Sequence, residues 1–234
     1  MLPVAILAGG LAKRLRPITE TIPKALVEVA GEPFILRQLK FLSEQGIHKV
    51  VLCVGYLGEM IRSVVGDGAR YGLDVTYSLD GPVLLGTGGA LKQALPLLGE
   101  NFFVLYGDSF LPIEFAPIKQ AYVDSGKTAL MTVLKNGDRW DKSNVIYSDG
   151  ELLEYNKKNP KPSMAYIDYG LGVINRRVLQ NRAIDEVFDL AEVYHELSLQ
   201  GQLAGYEVQE RFYEIGSHSG LHEAEEYFSK KGTA

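Results

Sequence analysis

At 234 residues, with 46% hydrophobic and 23% charged residues, the chain has the make-up of an ordinary globular protein, long enough to bury a sizeable α/β core. Its net charge of −5 argues against a general nucleic-acid binder, and no apolar run approaches the roughly 18–20 residues that a spanning helix needs, so no membrane partner is expected. Cys53 is the only cysteine, which excludes an internal disulfide; with an N-terminus that lacks a basic region and a long apolar stretch, it predicts a reducing, cytoplasmic setting.

Pro3–Ala8 is a short apolar run ending in Gly9-Gly10, which predicts a buried first strand. Phe34–Gln45 carries apolar residues at helical spacing, with Gly46 as the C-cap. Lys49–Val54 predicts a second buried strand, followed by a helix near Leu57–Val65 and the turn Gly66-Asp67-Gly68. Leu73–Leu79 alternates as a strand, Ala90–Leu98 reads as helix, and Phe102–Tyr106 is a further apolar strand ending at Gly107-Asp108. This alternation predicts a parallel sheet covered by helices. Beyond it, strands are expected at Lys127–Lys135, Ser143–Ser148, Leu152–Asn156 and Tyr166–Asn175, joined by connections short enough for antiparallel pairing. A helix over Asp189–Gln200, a strand over Leu203–Gln209 and a helix over about 220–230 complete the chain. No repeat or low-complexity linker appears, so a single domain spanning 1–234 with a mixed, mostly parallel sheet is expected.

Two segments carry chemistry before any family is invoked. The run from Leu7 to Pro17 leaves the first strand as a glycine loop followed at once by Lys13, Arg14 and Arg16, with Lys24 beyond. Glycines let backbone N–H groups approach a phosphate, and adjoining cations neutralise it; a tight turn with solvated basic residues is the plainer alternative. No G-x-x-x-x-G-K-[ST] segment exists, and the second strand ends Val54-Gly55-Tyr56 without an acid to hold a ribose, so neither a P-loop nor a dinucleotide fold fits. Asp108 closes a buried strand at the edge where open α/β sheets bind ligands, as a metal ligand or as a cap on the next element.

Leu7-Ala8-Gly9-Gly10, Arg14-Leu15, Pro17-Ile18-Thr19, Pro23-Lys24 and Val29-Ala30-Gly31-Glu32-Pro33 stand in the order and spacing of the signature of sugar-phosphate nucleotidyltransferases, which the chain resembles. Leu85-Gly86-Thr87-Gly88-Gly89-Ala90 is similar to the segment that packs on base and ribose in small heptose 1-phosphate guanylyltransferases and in muramate 1-phosphate uridylyltransferases. The resemblance implies a Rossmann-like, three-layer α/β/α sandwich, with residues 1–110 as the nucleotide-binding half and 111–234 as the sugar-phosphate-binding half. It implies Mg²⁺-dependent transfer of a nucleotide onto a sugar 1-phosphate. Nucleotide contacts fall on Leu7, Ala8, Gly9, Gly10, Asp80, Thr87 and Gly88, and triphosphate contacts on Arg14 and Lys24. The metal falls to Asp108 and Glu214.

Lys158, with Lys157 as the fallback, aligns with the lysine that holds the sugar phosphate. Asp168 and Gly170 align with sugar contacts, and Asn144 stands where relatives carry Y-G-V. Asp80 accepts hydrogen bonds only, which suits guanine's N1–H and 2-amino group; GTP is therefore expected ahead of UTP. Departures occur at Ala12 (usually glycine), at Lys13 (usually threonine, here a charge facing either phosphate or water) and at Glu214 (usually Asp). His218 reads as a first-turn surface residue behind an N-cap at Ser217, and Trp140 as packing or surface. Other readings are a uridylyltransferase for muramate or hexose 1-phosphate, a related glycosyltransferase, which would usually carry Asp-x-Asp where Gly107-Asp108-Ser109 stands, and a non-catalytic nucleotide-sugar sensor. Assembly into a homo-oligomer stays open.

Overall fold

The computed structural model describes residues 1–231; the side chains of Lys13 and Lys231 lie outside the described residues, and with them whatever the Lys13 charge meets. The strands Asn101–Tyr106, Val4–Leu7, Lys49–Val54 and Asp74–Leu79 lie side by side in that order, all parallel. Tyr166–Asn175 joins the Asn101–Tyr106 edge antiparallel and leads on to Val145–Ser148 and Glu151–Tyr155. Ala129–Lys135 pairs antiparallel with Tyr166–Asn175 and parallel with Leu203–Val208, completing a mixed sheet of nine strands.

Alternate residues of each central strand serve opposite faces, so a continuous apolar run is what burial on both sides requires. Val4, Ile6, Val50, Leu52 and Val54 pack with Ile35, Leu39, Ile61 and Phe115, from the helices Phe34–Glu44, Gly58–Val65 and Phe115–Ser125. Ala5, Val51 and Cys53 pack with Leu91, Ala94, Leu190 and Tyr194, from the helices Gly86–Ala94 and Leu190–Leu199. The result is the expected three-layer α/β/α sandwich. Cys53 fills the second layer, and burial pushes its thiol up to about 12, so it stays protonated and carries no nucleophile.

Two of the longer helices differ from the sequence expectation. The Phe115–Ser125 helix lies in a stretch punctuated by Pro112 and Pro117; Pro117 falls in the first turn, where its missing N–H has no intrahelical partner to lose. The helix expected from Ala90 begins instead at Gly86. Its glycines are there for close packing: a Cβ on Gly88 would lie 2.2 Å from the Phe188 ring, and one on Gly89 would lie 2.5 Å from the Glu186 carbonyl. Ala12, at the usual glycine position, adopts φ +46, in the left-handed region that an L-residue tolerates at about 1–2 kcal/mol. Its carbonyl is fixed there by the Thr19 hydroxyl at 2.8 Å.

Candidate active site

Two cavities open along the C-terminal edge of the parallel strands and meet at Tyr106 and Asp108. The smaller, about 260 Å³, is walled by Leu7, Ala8, Gly9 and Gly10, by Lys24, and by Asp80, Gly86 and Thr87. The larger, about 580 Å³, is walled by Arg14, Asn144, Lys157, Asp168, Gly170 and Glu214, with Arg139, Trp140 and Arg211.

The first loop uses its two glycines differently. A Cβ on Gly9 would sit 3.1 Å from the Gly55 backbone nitrogen, whereas a Cβ on Gly10 would meet nothing within 4 Å. Gly9 therefore lets neighbouring strand ends close together, and Gly10 keeps the cavity side open. Gly107 serves the same closeness, since its Cβ would lie 2.9 Å from that of Ala8. This brings Asp108 against the glycine loop.

Asp108 is held from several sides. Gln38, on the Phe34–Glu44 helix, donates from one amide nitrogen to the carbonyls of Tyr106 (2.9 Å) and Ser109 (2.7 Å), bracketing the turn that carries Asp108. The Lys24 ammonium donates to Asp108 Oδ2 at 2.6 Å, and the Ser109 hydroxyl lies 3.1 Å from Oδ1. Lys24 and Asp108 are 84 residues apart in sequence and adjacent in space, at the junction of the two cavities.

Glu214 reaches the same junction on a two-residue bridge. Tyr213–Glu214 pairs antiparallel with Ser109–Phe110, and Ile215 N–H donates to the Asp108 carbonyl at 2.9 Å. The longer glutamate side chain is folded back: Oε2 accepts from Gly216 N–H at 2.6 Å and Oε1 from the Ser217 hydroxyl at 3.1 Å. Gly216 and Gly220 make the room, because a Cβ on either would lie 2.1 and 2.6 Å from those oxygens. Each oxygen keeps a further lone pair. Among the described residues no set of three or more His, Cys, Asp or Glu side chains is arranged to hold a metal. The protein offers two carboxylates, a donor set of hard oxygens that suits a divalent cation completing its shell elsewhere. Ser217 accepts from Gly220 N–H at 3.0 Å at the start of the last helix, which leaves His218 exposed in its first turn.

Thr87 and Gly88 are placed less simply than expected. The Thr87 hydroxyl donates to Asp189 Oδ1 at 2.7 Å and accepts from Leu190 N–H at 2.9 Å, so it ties two helices together while lining the smaller cavity. Gly88 does not line it; it lies against Phe188, whose carbonyl takes its N–H at 3.0 Å. Asp80 stands opposite Gly9 and accepts from Leu85 N–H at 3.2 Å; partial burial raises its carboxyl above the ordinary range, and that hydrogen bond holds the rise back.

On the sugar side the structure separates two neighbouring lysines. Lys158, the expected phosphate contact, is exposed and paired with Glu192 at 2.5 Å, outside the cavity; Lys157 lines it. Asn144 is buried and accepts the Asp168 N–H at 3.0 Å, fixing the strand that carries Asp168 and Gly170. The register of that strand shifts between Asp168 and Gly172, and Gly170 within the shift has φ +106, which a side chain rarely adopts. Asp168 is pushed up to about 6 by desolvation, opposed by the Gly170 N–H and the Lys157 charge.

A raised carboxyl makes the folded state bind the extra proton between the ordinary value near 4 and about 6, so this group lowers stability as pH rises through that window. Asp168→Asn keeps an acceptor for Gly170 N–H and removes the buried charge. The variant is expected to match wild type in urea midpoint at pH 4 and to exceed it by a margin that grows to pH 6 and then levels off. Equal midpoints at pH 4 and pH 8 would contradict this.

Tyr106, Arg139 and Arg211 also border the site without having been singled out from the sequence, and Trp140, read there as packing or surface, borders the larger cavity. Only Tyr106 carried a signal, as the last residue of the strand that delivers Asp108.

A family model described as nucleotidyl transferase matches residues 4–231. The chain belongs to the nucleotidyl transferase family. It is 30% identical over 215 residues to a D-glycero-alpha-D-manno-heptose 1-phosphate guanylyltransferase of Aneurinibacillus thermoaerophilus, covering 90% of this chain and 91% of the relative. It is 42% identical over 111 residues to an N-acetylmuramate alpha-1-phosphate uridylyltransferase of Neisseria meningitidis serogroup B, covering 47% and 48%. In fold it is similar to HddC from Yersinia pseudotuberculosis complexed with GMP-PN, with a TM-score of 0.81 at 24% identity over 97% of this chain and all of that one. No helix among the described residues is long and apolar enough to cross a membrane.

Proposed function

We propose that the chain joins GTP to a manno-heptose-type sugar 1-phosphate, forming a nucleotide-sugar and releasing pyrophosphate. One observation carries this: a cavity walled wholly by residues up to 108 and a larger one walled mainly by later residues meet at Asp108, beside Lys24. That division supports one domain over 1–234 with nucleotide and sugar-phosphate halves at 1–110 and 111–234. The guanylyltransferase relative, similar over nine-tenths of both chains, supports the choice of base and sugar.

The reaction is an in-line displacement. An oxygen of the sugar phosphate, already anionic, attacks the α-phosphorus while the bond to pyrophosphate breaks, so no protein nucleophile or base is required. Mg²⁺, which Asp108 and Glu214 would hold together with phosphate oxygens, supplies neutralisation between the two anionic reactants. Gly10 and its neighbours present backbone N–H groups to the nucleotide. Lys24, from the smaller cavity, and Arg14, from the larger, neutralise the departing pyrophosphate. Lys157 holds the sugar phosphate, and Asn144, Asp168 and Gly170 shape the sugar contacts. Gly88 we assign to packing.

Asp80 reads the base. Its carboxylate accepts from guanine N1–H and the 2-amino group, whereas uracil offers a single N–H. Asp80→Asn is expected to lower kcat/KM for GTP about 10–100-fold, as loss of hydrogen bonds to a charged acceptor does, and to lower the value for UTP by a distinctly smaller factor, because uracil gives that acceptor one N–H where guanine gives two. Equal losses with both triphosphates would overturn the base assignment. The higher identity of the uridylyltransferase relative over half the chain favours a second pairing, UTP with a muramate 1-phosphate. GTP binding without pyrophosphate release from any pair would instead mark a sensor.

A further inference from the structure

The larger cavity has an end that the displacement does not use. Trp140, the sole tryptophan of the chain, lines it and is 37% exposed. Its ring is fixed by neighbours: the Arg211 guanidinium lies over one face, 5.5 Å from the centroid, and Phe212 meets it edge-on at 6.0 Å, so only the opposite face can take a ligand. The loop beneath is fixed too. Buried Asn136 donates to the Asp141 carbonyl at 2.7 Å and to Ser143 Oγ at 3.1 Å, and accepts from Trp140 N–H at 3.3 Å. Asp138 accepts from Ser143 N–H at 2.7 Å, closing a turn whose Gly137 and Asp138 both have positive φ. That internal bonding holds three consecutive residues, Arg139, Trp140 and Asp141, at one wall of the cavity.

An aromatic face with a donor and an acceptor beside it matches a particular ligand chemistry. One face of a pyranose carries C–H bonds whose weak positive charge complements the negative π-face of an indole, and its hydroxyls both donate and accept. A nucleobase would also stack on Trp140, but the base belongs to the other cavity, across Asp108. We propose that Trp140 is the platform for the sugar ring of the 1-phosphate substrate, and that Arg139 and Asp141 bond hydroxyls at the end of the sugar remote from its phosphate. The proposal rests on the functional reading above in taking the larger cavity as the sugar side. Lys157 then fixes one end of the substrate and the Arg139–Asp141 loop the other, so sugar selectivity resides in the loop.

A single tryptophan makes the test direct. Indole fluorescence of the wild-type protein is titrated with D-glycero-α-D-manno-heptose 1-phosphate, with mannose 1-phosphate, with inorganic phosphate and with GTP, each alone. A saturable change with a sugar 1-phosphate and none with phosphate or GTP is expected. In steady-state assays Trp140→Ala should raise KM for the sugar 1-phosphate about 10-fold or more, with KM for GTP within twofold, while Trp140→Phe should restore most of the loss. A sugar KM unchanged in Trp140→Ala, while wild type turns over, overturns the platform and leaves the activity standing. Wild type that releases no pyrophosphate from any pair overturns the activity, and the fluorescence titration still decides the platform: no change with either sugar phosphate, or the same change with inorganic phosphate or GTP, overturns it.

Discussion

Asp108→Asn is expected to lower kcat for pyrophosphate release by about a thousandfold or more, because on the proposed reading it removes a full charge from the point where two anionic phosphates are brought together. Asparagine is nearly isosteric, and the bonds that place residue 108 are made by backbone and by Gln38: the bracketed carbonyls of Tyr106 and Ser109, and the Ile215 N–H on the 108 carbonyl. Those survive the change. The Lys24 pair weakens, but both side chains retain some exposure, so the stability loss should stay within about 1 kcal/mol. A far-ultraviolet spectrum and a melting temperature close to wild type, with activity gone, are therefore expected. Turnover within tenfold of wild type would remove Asp108 from the reaction centre.

The second large effect separates two adjacent residues. Lys157→Ala should raise KM for the sugar 1-phosphate about 10–100-fold, the weight of one charge-assisted hydrogen bond, while Lys158→Ala should stay within about twofold. Lys158 lies outside the cavity against Glu192, so its loss touches only an exposed pair. The same pair of variants assayed for KM of GTP should show no difference. If Lys158→Ala carried the larger sugar effect, the side chains would be arranged otherwise in the working enzyme.

These lysines also show where the sequence stops being informative. Both follow the Glu151–Tyr155 strand, in irregular chain where no period dictates which side chain turns inward, and a one-residue choice there is decided by contacts with Glu192 on a distant helix. Asp108 was legible because a buried strand has a fixed end and open α/β sheets bind at that end. The glycine loop was legible for its place after the first strand, although the different duties of Gly9 and Gly10 depend on Gly55, a residue on another strand end. Thr87 and Gly88 sit in a motif whose glycines looked like ligand contacts, yet Phe188 and Asp189, a hundred residues on, claim part of it. Glu214 departs from the family pattern, and only the fold shows Gly216 and Gly220 making room for the extra methylene. Trp140 had no local signal at all: its meaning comes from the cavity it borders.

The central claim, guanylyl transfer to a manno-heptose-type 1-phosphate, is tested most directly by pyrophosphate release from the wild-type protein with Mg²⁺, crossing GTP and UTP with manno-heptose, mannose and N-acetylmuramate 1-phosphates. The highest kcat/KM is expected for GTP with the manno-heptose 1-phosphate, and no release without a sugar phosphate. Release from none of the pairs, or a higher kcat/KM for UTP with N-acetylmuramate 1-phosphate, would contradict it.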